Sequence, residues 1–566
     1  MSRMRRRRPA TVSKFFVGSK LAFTVIILVL VQTSILLKQA EGQNVSNITT
    51  GGGIWELLLT NAGIPSMHSA VTRYGTVVLL DHTNVGAENI TLPGGKCRNT
   101  TYDLVLKDDC YAHSVLYSPT TNTVRPLTIL TDTWCSAGQF VSDGSLVQTG
   151  GGYEGQQKVR IFKPCSTNQV CDWVESTTQT LQFPRWYTTN QLLPDGRQIL
   201  VGGKAAFTLE FLPSNNEGLV KLPFLQQTND FEDDNWYPFV HLLPTGNLYI
   251  FANRDSIIYN YKTNTVVKQF PQIPGNPRNY PSGGSSVMLP LTYSDGYVGV
   301  QILVCGGAQL GAYVNHTSQP GCSSTCGKIT VTDPNPVWAM ETMPIPRCMG
   351  DMILLPDQNV LIINGAQNGS QGWGYASVPA FNPVLYQTYN NQSRFLIFEP
   401  TTTPRMYHST ANLLQDGRIL LAGSNSHQYN TFRNTPFPTV LSLEAFSPPY
   451  IVDVDQRTII QILPAQISYQ QSFGITFWDP NPGAPTVTLS VVLTSAPFVT
   501  HSFAQGQRLL VLDVVNATVP PHITRKKSIT VMAPPNSAVA PPAYYMLWLL
   551  KNGAPSIARW VQVLQA

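Results

Sequence analysis

Short apolar runs, each opening on a turn and closing on small residues, recur along the chain, and no segment sustains the apolar spacing of a long helix. Strands are therefore the expected elements throughout. The recurring phrase reads Arg73-Tyr-Gly-Thr-Val-Val-Leu-Leu, Ser142-Asp-Gly-Ser-Leu-Val-Gln-Thr-Gly-Gly, Pro194-Asp-Gly-Arg-Gln-Ile-Leu-Val-Gly-Gly and Pro244-Thr-Gly-Asn-Leu-Tyr-Ile-Phe. It returns as Tyr297-Val-Gly-Val-Gln-Ile-Leu-Val-Cys-Gly-Gly, Pro356-Asp-Gln-Asn-Val-Leu-Ile-Ile-Asn-Gly and Gln415-Asp-Gly-Arg-Ile-Leu-Leu-Ala-Gly. One Asp-Gly turn means little, but seven at near-regular spacing define a repeat whose apolar faces only its neighbours can bury.

A period of about fifty residues with one hairpin turn and a diglycine-ended strand per copy is the pattern of a kelch-type β-propeller, here with seven blades. From about Ser442 the phrase stops, and short strands such as Val487-Thr-Leu-Ser-Val-Val-Leu and Arg508-Leu-Leu-Val-Leu-Asp-Val follow without diglycine. The expected organisation is all-β: a propeller over 41–441, then an immunoglobulin-like β-sandwich over 442–566.

Residues 1–40 stand apart. They hold eight of the 37 Lys and Arg, no acid, and an apolar run from Leu21 to Leu37, the pattern of a secretory signal peptide. Without these eight the chain carries 29 basic residues against 32 acidic ones, so the high pI belongs to the leader, and a nucleic-acid partner is not expected. Cleavage near Ala40 is the preferred reading; retention as a signal anchor, the alternative, would put the protein on a membrane. Asn-x-Ser/Thr acceptors at Asn44, Asn47, Asn89, Asn99, Asn315, Asn368, Asn391 and Asn516 fit a secreted, N-glycosylated protein of the extracellular space, the cell wall if the source is a plant.

Nine cysteines in an oxidising compartment leave one over. Close spacing pairs Cys97 with Cys110 and Cys165 with Cys171; Cys305, Cys322, Cys326 and Cys348 form two more bridges in one of three connectivities. Cys135 is the remainder, either an inert buried thiol or a group with a task.

Position decides for the task. Cys135, Tyr187, Tyr237 and His408 each lie nine residues before the glycine of their own turn, and Tyr407 ten before it. Equivalent points of different blades form a ring about the propeller axis, so a thiol, phenols and an imidazole meet at one channel mouth. Pro184-Arg-Trp-Tyr187, Pro346-Arg-Cys-Met349 and Pro404-Arg-Met-Tyr407 mark this phase, as does Pro65-Ser-Met-His68. Imidazole and phenolate suit copper(II), and a bound cation lowers a phenol's pKa. Tyr407 and His408 are adjacent and would ordinarily point to opposite faces of a strand, so their joint use requires irregular backbone.

On Cys135, Arg185-Trp-Tyr187, Tyr407-His408, Phe446-Ser-Pro-Pro-Tyr and Thr500-His501-Ser, the chain resembles the copper radical oxidases, glyoxal oxidase most and galactose oxidase more distantly. The resemblance spans nearly everything from Gly51 onward. It implies one copper ion held by Tyr187, Tyr407, His408 and His501, a Cys135–Tyr187 thioether as radical cofactor, and Tyr407 as general base. His501 comes from the second domain; His522, the competing candidate, lacks the matching context. The implied activity is oxidation of small aldehydes, as hydrates, or of primary alcohols by O2, releasing hydrogen peroxide; the alternative is a non-catalytic extracellular propeller binding glycan or protein. Trp186, His68 and Tyr237 share the ring phase and are candidates for the mouth, while no tryptophan is identified to stack over the radical.

Overall fold

The structure is a computed structural model that describes residues 51–166, 169–451, 457–482, 487–518 and 524–564. The expected leader, Asn44, Asn47 and His522 lie outside them. Among the described residues no helix is long and apolar enough to cross a membrane.

Seven four-stranded antiparallel blades are present, with inner strands His68–Val71, Ala137–Phe140, Thr189–Leu192, Phe239–Leu242, Ser285–Met288, Asp351–Leu354 and Ser409–Leu413. We number the blades 1 to 7 in that order. The turn after each inner strand works as its residues dictate. In blade 2 the Asp143 carboxylate accepts the Ser145 amide at 2.8 Å, and Gly144 takes φ +83°. Blade 6 has Gln358 in the glycine's place and still adopts φ +73°.

The glycines that end the second strands have a packing reason. Gly150 has φ +73°, and a Cβ on it would stand 2.3 Å from the Arg185 carbonyl oxygen of the next blade; Gly306 meets Arg347 in the same way. The arginines of the Pro-Arg lead-ins are fully buried and complete this joint. Arg405 donates to the Gly423 carbonyl at 2.8 Å and pairs with Glu444 at 2.9 Å; Arg185 donates to Gly202 and pairs with Glu210. Each guanidinium thereby satisfies buried carbonyls that no ladder reaches.

Blade 7 is closed by the N-terminal strand Ile54–Leu59, which pairs with Leu443–Ser447. The propeller strands thus run to Ser447, past the change of pattern at Ser442. The first described strand thus forms the outer strand of the last blade and ties the ring shut.

Most of the strands after Ser447 build two packed sheets. One holds Leu489–Ser495, Leu509–Leu512, Ala543–Lys551 and Arg559–Val563; the other holds Ile459–Ile462, Ser472–Trp478, Val514–Thr518 and Lys526–Met532. Ile475, Phe477, Leu493, Leu547 and Val561 fill the space between them. This sandwich is stitched to the propeller twice. Leu291–Thr292 of blade 5 pairs parallel with Leu509–Leu512, and the hairpin Phe498–Thr500/Phe503–Gln505 adds to the inner strand of blade 1, with His68 opposite Thr500. Gln505 accepts the Asn190 amide of blade 3 at 3.1 Å, and Gln507 accepts the Leu354 amide of blade 6 at 2.8 Å. The hairpin is thus fixed against several blades and not against one edge.

The eight bridged cysteines pair as Cys97–Cys110, Cys165–Cys171, Cys305–Cys326 and Cys322–Cys348, which resolves the open connectivity; Cys135 is free and buried. Three of the bridges hold loops on the face where the inner strands begin. The longest of these loops, 81–113 of blade 1, also encloses a buried ion cluster, in which His113 meets Asp109 at 2.6 Å and Glu88 at 3.3 Å while Arg98 pairs with Asp103 and Asp109. Burial alone would depress the His113 pKa, but the two carboxylates outweigh it and hold it at about 9, while burial pushes the Glu88 carboxyl up to about 7.

A folded-state pKa above the unfolded value of about 6.5 gives stability that is present below that pH and lost as pH rises through about 9. The melting temperature should therefore fall between pH 7 and 9, and the slope should flatten in His113→Gln. Calorimetry across that range checks it.

Candidate active site

Six blades carry a residue with left-handed backbone two positions before the inner strand or at its threshold: Cys135 (φ +51°), Tyr187 (+61°), Tyr237 (+48°), Gly283 (+69°), Met349 (+61°) and His408 (+59°). Positive φ in non-glycine residues is costly and persists only where the surroundings enforce it. Here a belt of backbone hydrogen bonds does so: the Tyr187 amide donates to the Cys135 carbonyl at 3.0 Å, the Tyr237 amide to Tyr187 at 2.9 Å, and the Met349 amide to Gly283 at 2.7 Å. At Cys135, Tyr187, Tyr237 and His408 the turn brings the side chain within reach of His501.

His408 shows what the left-handed kink achieves. Its ring stacks on that of its neighbour Tyr407, centroids 3.9 Å apart and planes 25° apart, so two consecutive residues face the same space. The irregular backbone expected from their adjacency is the left-handed turn at His408.

His501 arrives from the sandwich. It sits with Ser502 at the tip of the inserted hairpin, both with positive φ (+45° and +66°), in the two-residue turn geometry that normally selects Asn-Gly. A histidine there is paid for by the hairpin's anchoring. Its Nδ1 meets Thr500 Oγ1 at 2.6 Å, which leaves Nε2 turned to the Cys135 sulfur at 3.1 Å. The ring lies 5.0 Å from His408, 5.7 Å from Tyr407 and 5.9 Å from Tyr187.

Donor atoms of Cys135, His408 and His501 lie within 4.8 Å of one another, all buried. Neither ring nitrogen of His408 has a hydrogen-bond partner. Such an orphaned buried imidazole calls for a ligand or ion. Burial holds the imidazoles of His408 and His501 well below their ordinary pKa, so both are neutral and carry a free lone pair. Burial, reinforced by neighbouring Cys135 and Tyr280, pushes the Tyr187 phenol well up, and burial with Tyr280 does the same to Tyr407. The Cys135 thiol is likewise raised by burial, against a hydrogen bond with Tyr187. The donor set of two imidazoles and two phenols fits a copper ion.

Other residues of the ring take supporting positions. His68, expected near the mouth, lies beneath it, bonded to Thr500 Oγ1 at 2.8 Å and the Thr133 carbonyl at 3.1 Å, where it braces the hairpin. Tyr237 donates to the Ser136 carbonyl at 2.8 Å and packs edge-on to Tyr187. Trp186 is half-buried, 4.7 Å from Trp134 and 5.1 Å from Tyr187.

Sequence reasoning missed three groups. Tyr280 bridges the two phenols: its hydroxyl is 3.3 Å from that of Tyr187 and 2.9 Å from that of Tyr407. The signal was present, because Pro277-Arg-Asn-Tyr280 is another Pro-Arg tetrapeptide, displaced from the usual phase by Pro281-Ser-Gly-Gly284. Trp236 packs over Tyr187 at 4.9 Å, a tryptophan on the candidate radical that the sequence did not identify. His82, from the loop after the second strand of blade 1, stands 6.1 Å from His408.

A seven-bladed propeller with phenols, imidazoles and a free thiol gathered on its axis, one imidazole supplied by an appended sandwich, defines a galactose oxidase-like metal oxidase architecture. The chain belongs to the glyoxal oxidase family: residues 67–450 match the model of the glyoxal oxidase N-terminus, and 457–563 that of the galactose oxidase-like early set domain. It is 51% identical to the aldehyde oxidase GLOX of Vitis pseudoreticulata, covering 90% of this chain and 97% of that protein. It is 38% identical to the aldehyde oxidase GLOX1 of Arabidopsis thaliana, covering 90% and 85%. Among solved structures, a fungal alcohol oxidase in complex with copper superposes with a TM-score of 0.68 over 91% of this chain and all of that one, at 19% identity, which attests the fold.

Proposed function

We propose that this protein is a secreted, N-glycosylated copper radical oxidase that oxidises small aldehydes, as hydrates, or primary alcohols with O2. The observation that carries this reading is the pair of buried imidazoles, His408 with both nitrogens unpartnered and His501 with Nε2 turned to the Cys135 sulfur at 3.1 Å, beside Tyr187, Tyr407 and the one unbridged cysteine. Tyr187, Tyr407, His408 and His501 would hold the copper, with Cys135 joined by a thioether to a ring carbon of Tyr187. Bound copper supplies a one-electron couple that complements the one-electron couple of the Cys135–Tyr187 unit. No observation favours a non-catalytic scaffold.

The residues then divide the work. Tyr407 accepts the hydroxyl proton of the substrate at its phenol oxygen, as a phenolate whose ionised form a bound cation would favour against the burial that raises its pKa. Tyr187, oxidised by one electron, takes the hydrogen atom from the adjacent carbon. A hydrate RCH(OH)2 and O2 give RCOOH and H2O2; an alcohol RCH2OH gives RCHO and H2O2. The burial that holds the phenols and imidazoles out of water also shields a tyrosyl radical from quenching. Of the described glycan acceptors, Asn89, Asn99, Asn315, Asn391 and Asn516 are exposed and Asn368 is half-buried, which suits glycosylation at the first five.

Copper-loaded protein offered a panel of aldehydes and primary alcohols is expected to release peroxide in proportion to the O2 consumed. Full copper occupancy and an intact cross-link without turnover on any of them would overturn the reading.

A further inference from the structure

His82 is a buried imidazole beside the site that this chemistry leaves unused. It lies two residues after Val77–Leu80, the second strand of blade 1, on the face where the inner strands begin. Its backbone is pinned, with the His82 amide donating to Asp81 Oδ1 at 2.9 Å and the next amide, of Thr83, donating to Asp132 Oδ1 at 3.0 Å. The ring stacks on Trp134, the neighbour of Cys135, at 5.4 Å and 25°, and faces His408 edge-on. The residue is 1% exposed, yet neither ring nitrogen has a hydrogen-bond partner. Ligand atoms of Asp81, His82 and His408 lie within 4.8 Å of one another, so the ring borders the copper ligands without belonging to the Cys135, His408 and His501 group.

The indole N–H groups of Trp134 and Trp373 are also buried and unpartnered, and Trp134 lies 4.7 Å from Trp186 and stacks on Trp373 at 5.2 Å. The wall beside His408 is thus aromatic with unmet hydrogen-bonding groups, the composition of a site for a small polar molecule.

A primary alcohol brings one hydroxyl to the reacting carbon, and Tyr407 accounts for it. An aldehyde hydrate brings a second on the same carbon, which needs its own partner in a site closed to water. An imidazole offers one donor and one acceptor at once. We infer that His82 is a substrate-binding residue that takes the second hydroxyl of an aldehyde hydrate and so sets the preference for aldehydes over primary alcohols. The inference rests on the oxidase reading above. That second hydroxyl forms and breaks no bond to carbon: it is retained in the carboxylic acid, while the C–H hydrogen and the other hydroxyl's proton leave toward H2O2.

Steady-state kinetics on His82→Ala and His82→Gln with glyoxal and with glycerol, each beside copper content and the radical's visible absorption, provide the test. His82→Ala should raise the glyoxal KM about tenfold or more with kcat little changed, with copper, absorption and glycerol turnover held. His82→Gln, which keeps a donor and an acceptor, should recover most of the loss. An unchanged glyoxal KM, an equal loss on both substrates, or a fall in copper content, which would make His82 a metal ligand, each overturns the inference and leaves the oxidase reading standing. Wild-type protein inactive on both substrates overturns the oxidase reading and this inference with it.

Discussion

Cys135→Ser is expected to lower oxidase turnover by about ten-thousandfold while the protein stays folded, because it removes a member of a unit whose parts act together. The side chain it replaces is fully buried and makes no disulfide, and serine is close in volume, so packing changes little. Tyr187→Phe should be at least as severe, since it deletes the oxygen proposed both as copper ligand and as seat of the radical. A chemical readout separates this from a folding defect. Peptide mapping of the wild type should yield a species joining the Cys135 and Tyr187 peptides, two hydrogen atoms lighter than their sum, that is absent from both variants. Recovery of only unlinked peptides from active wild-type protein would defeat the assignment.

Cys135 was legible in the sequence by two independent routes, parity and phase. Eight cysteines pair off, and the ninth sits nine residues before its turn glycine. Phase works because a propeller converts regular spacing into a ring, and the left-handed kinks at Cys135, Tyr187, Tyr237 and His408 show that spacing also reports backbone geometry. The same reasoning passed over Tyr280, where Pro281-Ser-Gly-Gly284 lengthens the lead-in and Tyr280 reaches the axis from farther back. His82 and Trp373 were invisible to it for a different reason. They lie on loops after the second strands, whose lengths vary from blade to blade, and no period governs where such loops fold.

The domain change was read at Ser442 because the diglycine phrase ended there. Leu443–Ser447 nevertheless belongs to blade 7, since its outer neighbour is Ile54–Leu59 from the other end of the chain. A pairing between residues so distant leaves no local mark. The buried arginines are intermediate: Pro-Arg recurs visibly, but that its guanidinium caps the carbonyl ends of the second strand is a tertiary fact.

His501→Ala should weaken copper binding by more than about a hundredfold and abolish turnover, though the residue belongs to a different domain from the other candidate ligands. Loss of an outer partner of a metal ligand alone costs about ten- to a hundredfold, and here the ligand itself is removed. The hairpin should survive, because its hold on the propeller runs through the Thr500–His68 pairing, Gln505 and Gln507, none of which is altered. Alanine also relieves nothing at the strained turn, where φ is +45°, so stability should change little. Metal content after dialysis, set beside the thermal transition, distinguishes the cases: copper lost with an unchanged transition assigns His501 to the metal, whereas copper retained at wild-type occupancy removes it from the ligand set. Thr500→Val is the companion, since its hydroxyl meets His501 Nδ1 at 2.6 Å and fixes which nitrogen faces the axis. Its loss should reduce copper affinity by a smaller factor, about tenfold, and leave the coordinated ring in place.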